Sequence, residues 1–259
     1  MKKLIAVLLC LVLAAASVLA LAEDAGDKAY VIEKGKLIVG ITDFEPMDYK
    51  DENGEWIGFD ADLARAFGEY LGVEVEFQEI DWDNKVLELD GKTIDCVWNG
   101  MTLTDEVMAA MNCSKAYMNN AQVVILPVDK IADYDSVESL ASLVFAVEAG
   151  SAGEAVVNEL GYEVNSVQNQ AAALMEVAAG TSDAAVIDAL MAGAMVGEGT
   201  SYADLGYTLP LNEEQYGVGF RTGSDLANEL NAFLDAAIAD GSLLELAEAY
   251  GVEAALITE

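Results

Sequence analysis

"IDCVWNGMTLTDEVM", residues 94–108, decides the fold. Ile94 to Trp98 form a short apolar run of strand length. Asn99-Gly100 interrupts it, and from Asp105 "DEVMAAM" resumes with helical spacing. A strand, a small-residue turn and a helix start in direct succession predict one α/β unit whose loop turns backbone N–H groups toward an anion. "LVFAVEAGSAGEAVVNEL", residues 143–160, repeats the arrangement. In open α/β sheets ligands sit at the carboxyl ends of strands. Loops at 99–104 and 149–153 therefore predict a ligand gripped from two sides.

Outward from these two units, period-two and period-3.6 segments alternate along the chain. Strand patterns occur at "LIVGI" (37–41), "VEVEFQE" (73–79), "AQVVIL" (121–126), "DAAVID" (183–188) and "YGVGFR" (216–221). In "FDADLARAFGEYLG" Phe59, Leu63, Phe67 and Leu71 recur four apart and Gly72 ends the run, an amphipathic helix with a C-terminal glycine. Further helices are expected at 136–142, 169–180, 189–197, 225–241 and 242–250. The fold class is α/β, with mainly parallel sheets covered on both faces.

The first 22 residues are expected to be removed. "MKK" is a positive start, "LIAVLLCLVLAAASVLA" an apolar core and Ala20-Leu21-Ala22 a cleavage signal. Cys10 lies inside that core after Val7-Leu8-Leu9, so no lipobox is present and an exported, unanchored protein is expected. No later stretch is apolar enough to span a bilayer. The chain carries 46 acidic and 12 basic residues, a net charge of −34. Such a surface repels nucleic acid and anionic lipid and draws in cationic solutes.

Histidine is absent, which removes His-based triads and His-ligated zinc. Beyond the leader, Cys96 and Cys113 are the two cysteines. Each reads as a packed apolar residue, with a disulfide between them left open. "DENGE" at 51–55 is a turn centred on Asn53-Gly54 and too short for a calcium loop, so no metal or other cofactor is expected. Asp43, Glu45, Asp81 and Asp83 have the chemistry of acid–base catalysts. No histidine, lysine pair or metal set accompanies them, and binding is expected rather than catalysis.

From Gly35 to Gly251 the chain resembles the solute-binding proteins of polar amino-acid ABC transporters, family 3, with the type II periplasmic binding fold. The resemblance rests on "GFDADLA", "IDWD", "NGMTLT" and "AGS" in register, continued by "DAAVIDALMAGA", "YGVGFRTGSDL" and "ADGSLLELAEAYG". It implies two α/β lobes joined by a two-strand hinge. Residues 35–121 with 217–259 would form lobe 1, residues 122–216 lobe 2, with crossovers near 120–122 and 214–216. It also implies a monomer that closes on a small polar solute, an amino acid or amine, and hands it to a membrane permease. A free sensor docking on a receptor and a dehydratase-like enzyme are the alternatives.

By the same resemblance Phe44 and Trp82 sandwich the ligand side chain, next to Asp43. Asn99, Gly100 and Thr102 line the lobe 1 loop, Ser151 offers a lobe 2 amide, and Asp188 takes the α-ammonium. Phe44 and Trp82 also read as core aromatics, and Asp188 as a helix N-cap. Two positions depart from the family pattern. Val107 stands where an arginine normally forks onto the ligand carboxylate, and Ala152 replaces a hydroxyl residue. Arg65 and Arg221, the two arginines of the chain, are not placed to substitute, and Lys115 belongs to a segment near the hinge. Losing one partner of a desolvated charge pair costs roughly 2–5 kcal/mol. Changed specificity toward an amine, relaxed amino-acid affinity and decayed binding all follow as readings of Val107.

Overall fold

A computed structural model describes residues 26–258. The leader, its cleavage site and Cys10 lie outside the described residues. The first elements among the described residues are α1 (Asp27–Lys34) and β1 (Lys36–Ile41). A hairpin of β2 (Tyr49–Lys50) and β3 (Trp56–Ile57) turns at Asn53-Gly54 into α2 (Phe59–Leu71). β4 (Glu74–Glu79) is followed by a 3-10 turn, Trp82–Asn84, that runs on as α3 (Lys85–Asp90). β5 (Cys96–Thr102), α4 (Asp105–Ala110), β6 (Asn112–Cys113) and β7 (Met118–Asn120) complete the first passage.

Beyond Ala121 the chain builds a second sheet. Its elements are β8 (Gln122–Pro127), β9 (Val144–Glu148), α5 (Ala152–Glu159), β10 (Glu163–Val167), α6 (Gln170–Ala179), β11 (Ala184–Asp188), α7 (Ala189–Met195) and β12 (Leu205–Pro210). β13 (Glu214–Phe220) returns to the first sheet, and α8 (Leu226–Asp240) and α9 (Ser242–Tyr250) pack there. The first sheet has the order β4-β1-β5-β13-β6, with β7 also on β13; the second has β10-β9-β11-β8-β12.

Each sheet is mixed, not mainly parallel. The β4-β1-β5 and β10-β9-β11 halves are parallel, whereas β13 and β8 run antiparallel to their neighbours. Direction reverses there because these are the strands that cross between sheets. "SVESLAS" forms a 3-10 stretch over Val137–Ser142, where an α-helix is expected from the pattern.

The core follows the periodicity. Phe59, Leu63, Phe67 and Leu71 are buried along one face of α2, and Gly72 closes the helix in the left-handed conformation at φ 77°. β5 is buried from Cys96 to Met101, as a central strand covered on both faces must be. Cys96 and Cys113 are both free. They pair with Phe220 and Gly219 from opposite sides of β13. Two strand spacings, roughly 9–10 Å, exceed the reach of a disulfide.

Candidate functional site

The carboxyl ends of β5, β9 and β11 converge on a cleft of about 390 Å³ between the two sheets. The first lobe contributes Trp82, Asp83, Lys85, Asn99, Gly100, Thr102, Glu106 and Val107 to its wall. The second contributes Gln122, Glu148, Gly150, Ser151, Ala152, Glu154, Gln170 and Asp188. The lobes touch where Gly150, at φ 71°, lies so near Asp83 that a Cβ would fall 2.7 Å from its Cα.

Six of the expected ligand residues line this cleft: Trp82, Asn99, Gly100, Thr102, Ser151 and Asp188. Asp43 and Phe44 are not in its wall. Phe44 is buried beneath the loop, edge-on to Tyr216 with ring centroids 6.3 Å apart. Its ring fills the place a side chain at Gly100 would need, Cε1 lying 2.4 Å from where a Cβ would stand. Trp82 alone of the expected aromatic pair therefore faces the cleft.

Most polar atoms of the expected set are already engaged. The Asn99 side chain accepts from the Thr42 N–H (3.0 Å) and hydroxyl (2.8 Å), and donates to the Thr42 carbonyl (3.0 Å) and Asp48 (2.8 Å). It staples the loop after β1 instead of reaching outward. The Gly100 N–H donates to buried Asp60 at 2.7 Å. On the other lobe the Gly150 N–H donates to Glu154 at 2.8 Å, and the Ser151 hydroxyl caps α5 by accepting from the Glu154 N–H. One amide in each loop expected to hold an anion, that of Gly100 and that of Gly150, thus carries a carboxylate of the protein itself, while the Ser151 N–H donates to the Glu148 carbonyl at 3.2 Å.

Asp188 ends β11 without capping α7. Its Oδ1 accepts from Gln122 (3.0 Å), Tyr216 (2.7 Å) and Asn120, and its Oδ2 from Gln170. Asn120 and Gln122 also donate to Glu214, at 2.6 and 2.8 Å. Thr102 donates its hydroxyl to the same carboxylate at 3.0 Å. Burial, and then the charge of Glu214, hold the Asp188 carboxyl well above its ordinary range. The crossing strands and the cleft therefore share one polar network.

Two cleft residues carry chemistry that the sequence reading missed. Glu148, at the end of β9, is 2% exposed and its Oε1 has no hydrogen-bond partner. Burial pushes its carboxyl up to about 8, against the opposing pull of the Lys85 charge. Lys85 is 8% exposed, and its Nζ lies 4.9 Å from the centroid of the Trp82 ring. It donates across the cleft to the Gly150 carbonyl at 2.9 Å and to the Trp82 carbonyl at 3.2 Å. The cation missing from position 107 is therefore present in the cleft by another route. Its signal was faint, since a lysine opening "KVLELD" three residues after a tryptophan reads as an ordinary solvated helix residue. Arg65 is bound to Asp62 and the Trp56 carbonyl. Arg221 is buried against Asp27 and Asp95, and Lys115 pairs with Asp235. None of these three lines the cleft.

The profile of bacterial extracellular solute-binding proteins, family 3, matches residues 37–253. The arginine-binding extracellular protein ArtP of Bacillus subtilis is 28% identical over 222 residues, covering 82% of this chain and 85% of its own length. The L-arginine-binding protein of Pseudomonas aeruginosa is 30% identical over 217 residues, 80% of this chain and 84% of its own. Among solved structures, the ancestral amino acid-binding protein AncCDT-1, a precursor of cyclohexadienyl dehydratase, superposes with a TM-score of 0.79 at 31% identity. That match covers 86% of this chain and 98% of the other. A family match spanning nearly all the described residues, on a two-sheet fold with an interlobe cleft, places this chain among the bacterial extracellular solute-binding proteins of family 3.

Proposed function

We propose that this protein captures a cationic, ammonium-bearing polar solute in its interlobe cleft and delivers it to a membrane ABC permease. One observation carries the reading: Asp83, Glu106, Glu148, Glu154 and Asp188 line the cleft, against Lys85 as its one basic residue. Carboxylates in a partly desolvated cleft favour a cation, a bound cation draws the raised Glu148 and Asp188 carboxyls back toward their ionised forms, and the face of Trp82 adds to that preference. With Val107 in place of an arginine and the Gly100 and Gly150 amides occupied, Lys85 is the one cleft cation left to meet a ligand carboxylate. Arginine-binding relatives are consistent with a cationic ligand class.

In this reading Trp82 and Asp188 remain on the ligand path, with Thr102 and Ser151 at its rim. Residues 35–121 with 217–259 and residues 122–216 move as the two bodies, and the ligand stabilises their closed arrangement. The mature protein begins after Ala22, works outside the cytoplasm as a monomer, and performs no chemistry on its solute.

Calorimetric and thermal-shift titration of residues 23–259 tests the proposal. The panel pairs L-arginine with agmatine, L-lysine with cadaverine and L-ornithine with putrescine, adds choline, and uses L-glutamine and L-glutamate as non-cationic controls. Saturation at a hundred times Kd adds about 2.7 kcal/mol of stability. Binding of cations with no response to the controls is expected. Preference for glutamine or glutamate overturns the reading.

A further inference from the structure

We infer that Lys85 is a tethered competitor for the cation position of the cleft: its ammonium bridges the lobes over Trp82 until a solute cation displaces it. The inference rests on the cationic-solute reading above and names the residue that sets its selectivity.

Three observations support it. Lys85 belongs to the first lobe, yet its ammonium donates to the Gly150 carbonyl of the second at 2.9 Å. This side-chain contact thus links the two lobes directly. Second, the buried ammonium is served by two carbonyls, those of Gly150 and Trp82, and takes part in none of the ion pairs among the described residues. A desolvated charge held only by neutral acceptors is incompletely compensated. Third, Glu148 lines the same cleft, buried, with one carboxylate oxygen unpartnered. Cation and carboxylate attract each other within one small cleft without forming a direct ion pair.

A solute cation able to reach both the Trp82 face and Glu148 satisfies the carboxylate and returns the Lys85 ammonium to water on its flexible four-carbon stem. A neutral or anionic solute gains nothing from displacing it. Lys85 thereby rejects weakly charged solutes while the acidic wall attracts strongly charged ones.

The test compares wild type, Lys85→Met and Lys85→Gln, all as residues 23–259 with helicity checked by circular dichroism, using agmatine and L-arginine as probes. Both variants are expected to bind both probes at least tenfold more tightly than wild type. In ligand-free solution, X-ray scattering is expected to find both variants more extended than wild type, because the interlobe bridge is gone. Unchanged affinity for both probes overturns the inference, as does unchanged ligand-free compactness. Weaker L-arginine binding with agmatine unaffected also overturns it, and makes Lys85 the partner of a ligand carboxylate. If wild type binds a cation and the variants fail these expectations, the competitor role alone falls. If wild type and both variants bind neither probe, this inference and the cationic-solute reading fall together.

Discussion

At the scale of single residues, Glu148 and Val107 hold the electrostatics of the cleft. Burial raises the Glu148 carboxyl from 4.5 to about 8. Between those values the folded protein keeps a proton that the unfolded chain has lost. The stability contributed by this group therefore falls as pH rises from about 5 to about 8, by at most ~1.4 kcal/mol per pH unit. Glu148→Gln should flatten part of that slope in the ligand-free protein, as followed by thermal midpoints from pH 5 to pH 9. Asp60, raised to about 7 by burial, keeps a slope of the same sign in the variant. Ligand binding has the opposite dependence, because only the ionised carboxylate pairs with a cation. Agmatine affinity should rise with pH up to about 8 in wild type, and lose that rise in Glu148→Gln along with tenfold or more in strength. Val107 makes a converse test. Val107→Arg sets a guanidinium in the cleft wall, which should move the L-arginine-to-agmatine affinity ratio toward the amino acid by tenfold or more, about 1.4 kcal/mol. A ratio unchanged in paired titrations shows that no ligand carboxylate comes near position 107.

At the scale of elements, the turn from β9 into α5 limits how closely the lobes approach. Gly150 is left-handed at φ 71° and abuts the Asp83 backbone. Gly150→Ala therefore meets both backbone strain, about 1 kcal/mol, and a clash that only lobe separation relieves. The variant should melt a few degrees lower and bind its solute at least tenfold more weakly, with ligand-free scattering showing a wider molecule. Retained affinity would mean that binding does not need this contact. The same turn marks the limit of what the sequence discloses. Strand, small residues and helix were legible at 94–108 and 143–160 because hydrophobic period and turn chemistry are local signals. β6 and β7, of two and three residues, were not, since their pairing with β13 is a tertiary matter with no pattern of its own. The direction of β8 and β13 was hidden for the same reason. At the cleft, the loops that hold Thr102 and Ser151 were legible from strand, turn and helix pattern, whereas Trp82 and Asp188 came only through the family resemblance. What the polar atoms of these four residues bind was not legible. Asp60 lies forty positions before Gly100, and Lys85 meets the Gly150 carbonyl from sixty-five positions away, distances over which spacing carries no information.

At the scale of the molecule, hinge, cleft and surface charge act together. Asn120 on β7 and Gln122 on β8 flank the first crossing, Glu214 opens the strand that makes the second, and all three meet Asp188 or its donors. Both crossings thus share one carboxylate network with the cleft, and in the proposed reading that network couples ligand contact to lobe orientation. Around this hinge the chain carries a net charge of −34, so a cationic solute meets an attractive field before it meets the cleft. That field belongs to exposed groups and is screened over about 10 Å at 0.1 M salt. The contacts inside the closed cleft are desolvated and screened far less. Raising sodium chloride from 20 to 500 mM should therefore slow agmatine association several-fold while leaving dissociation nearly constant, as measured by stopped-flow tryptophan fluorescence. If salt acts mainly on dissociation, the attraction resides in solvent-exposed contacts of the bound state, and the cleft does not close tightly around its cation.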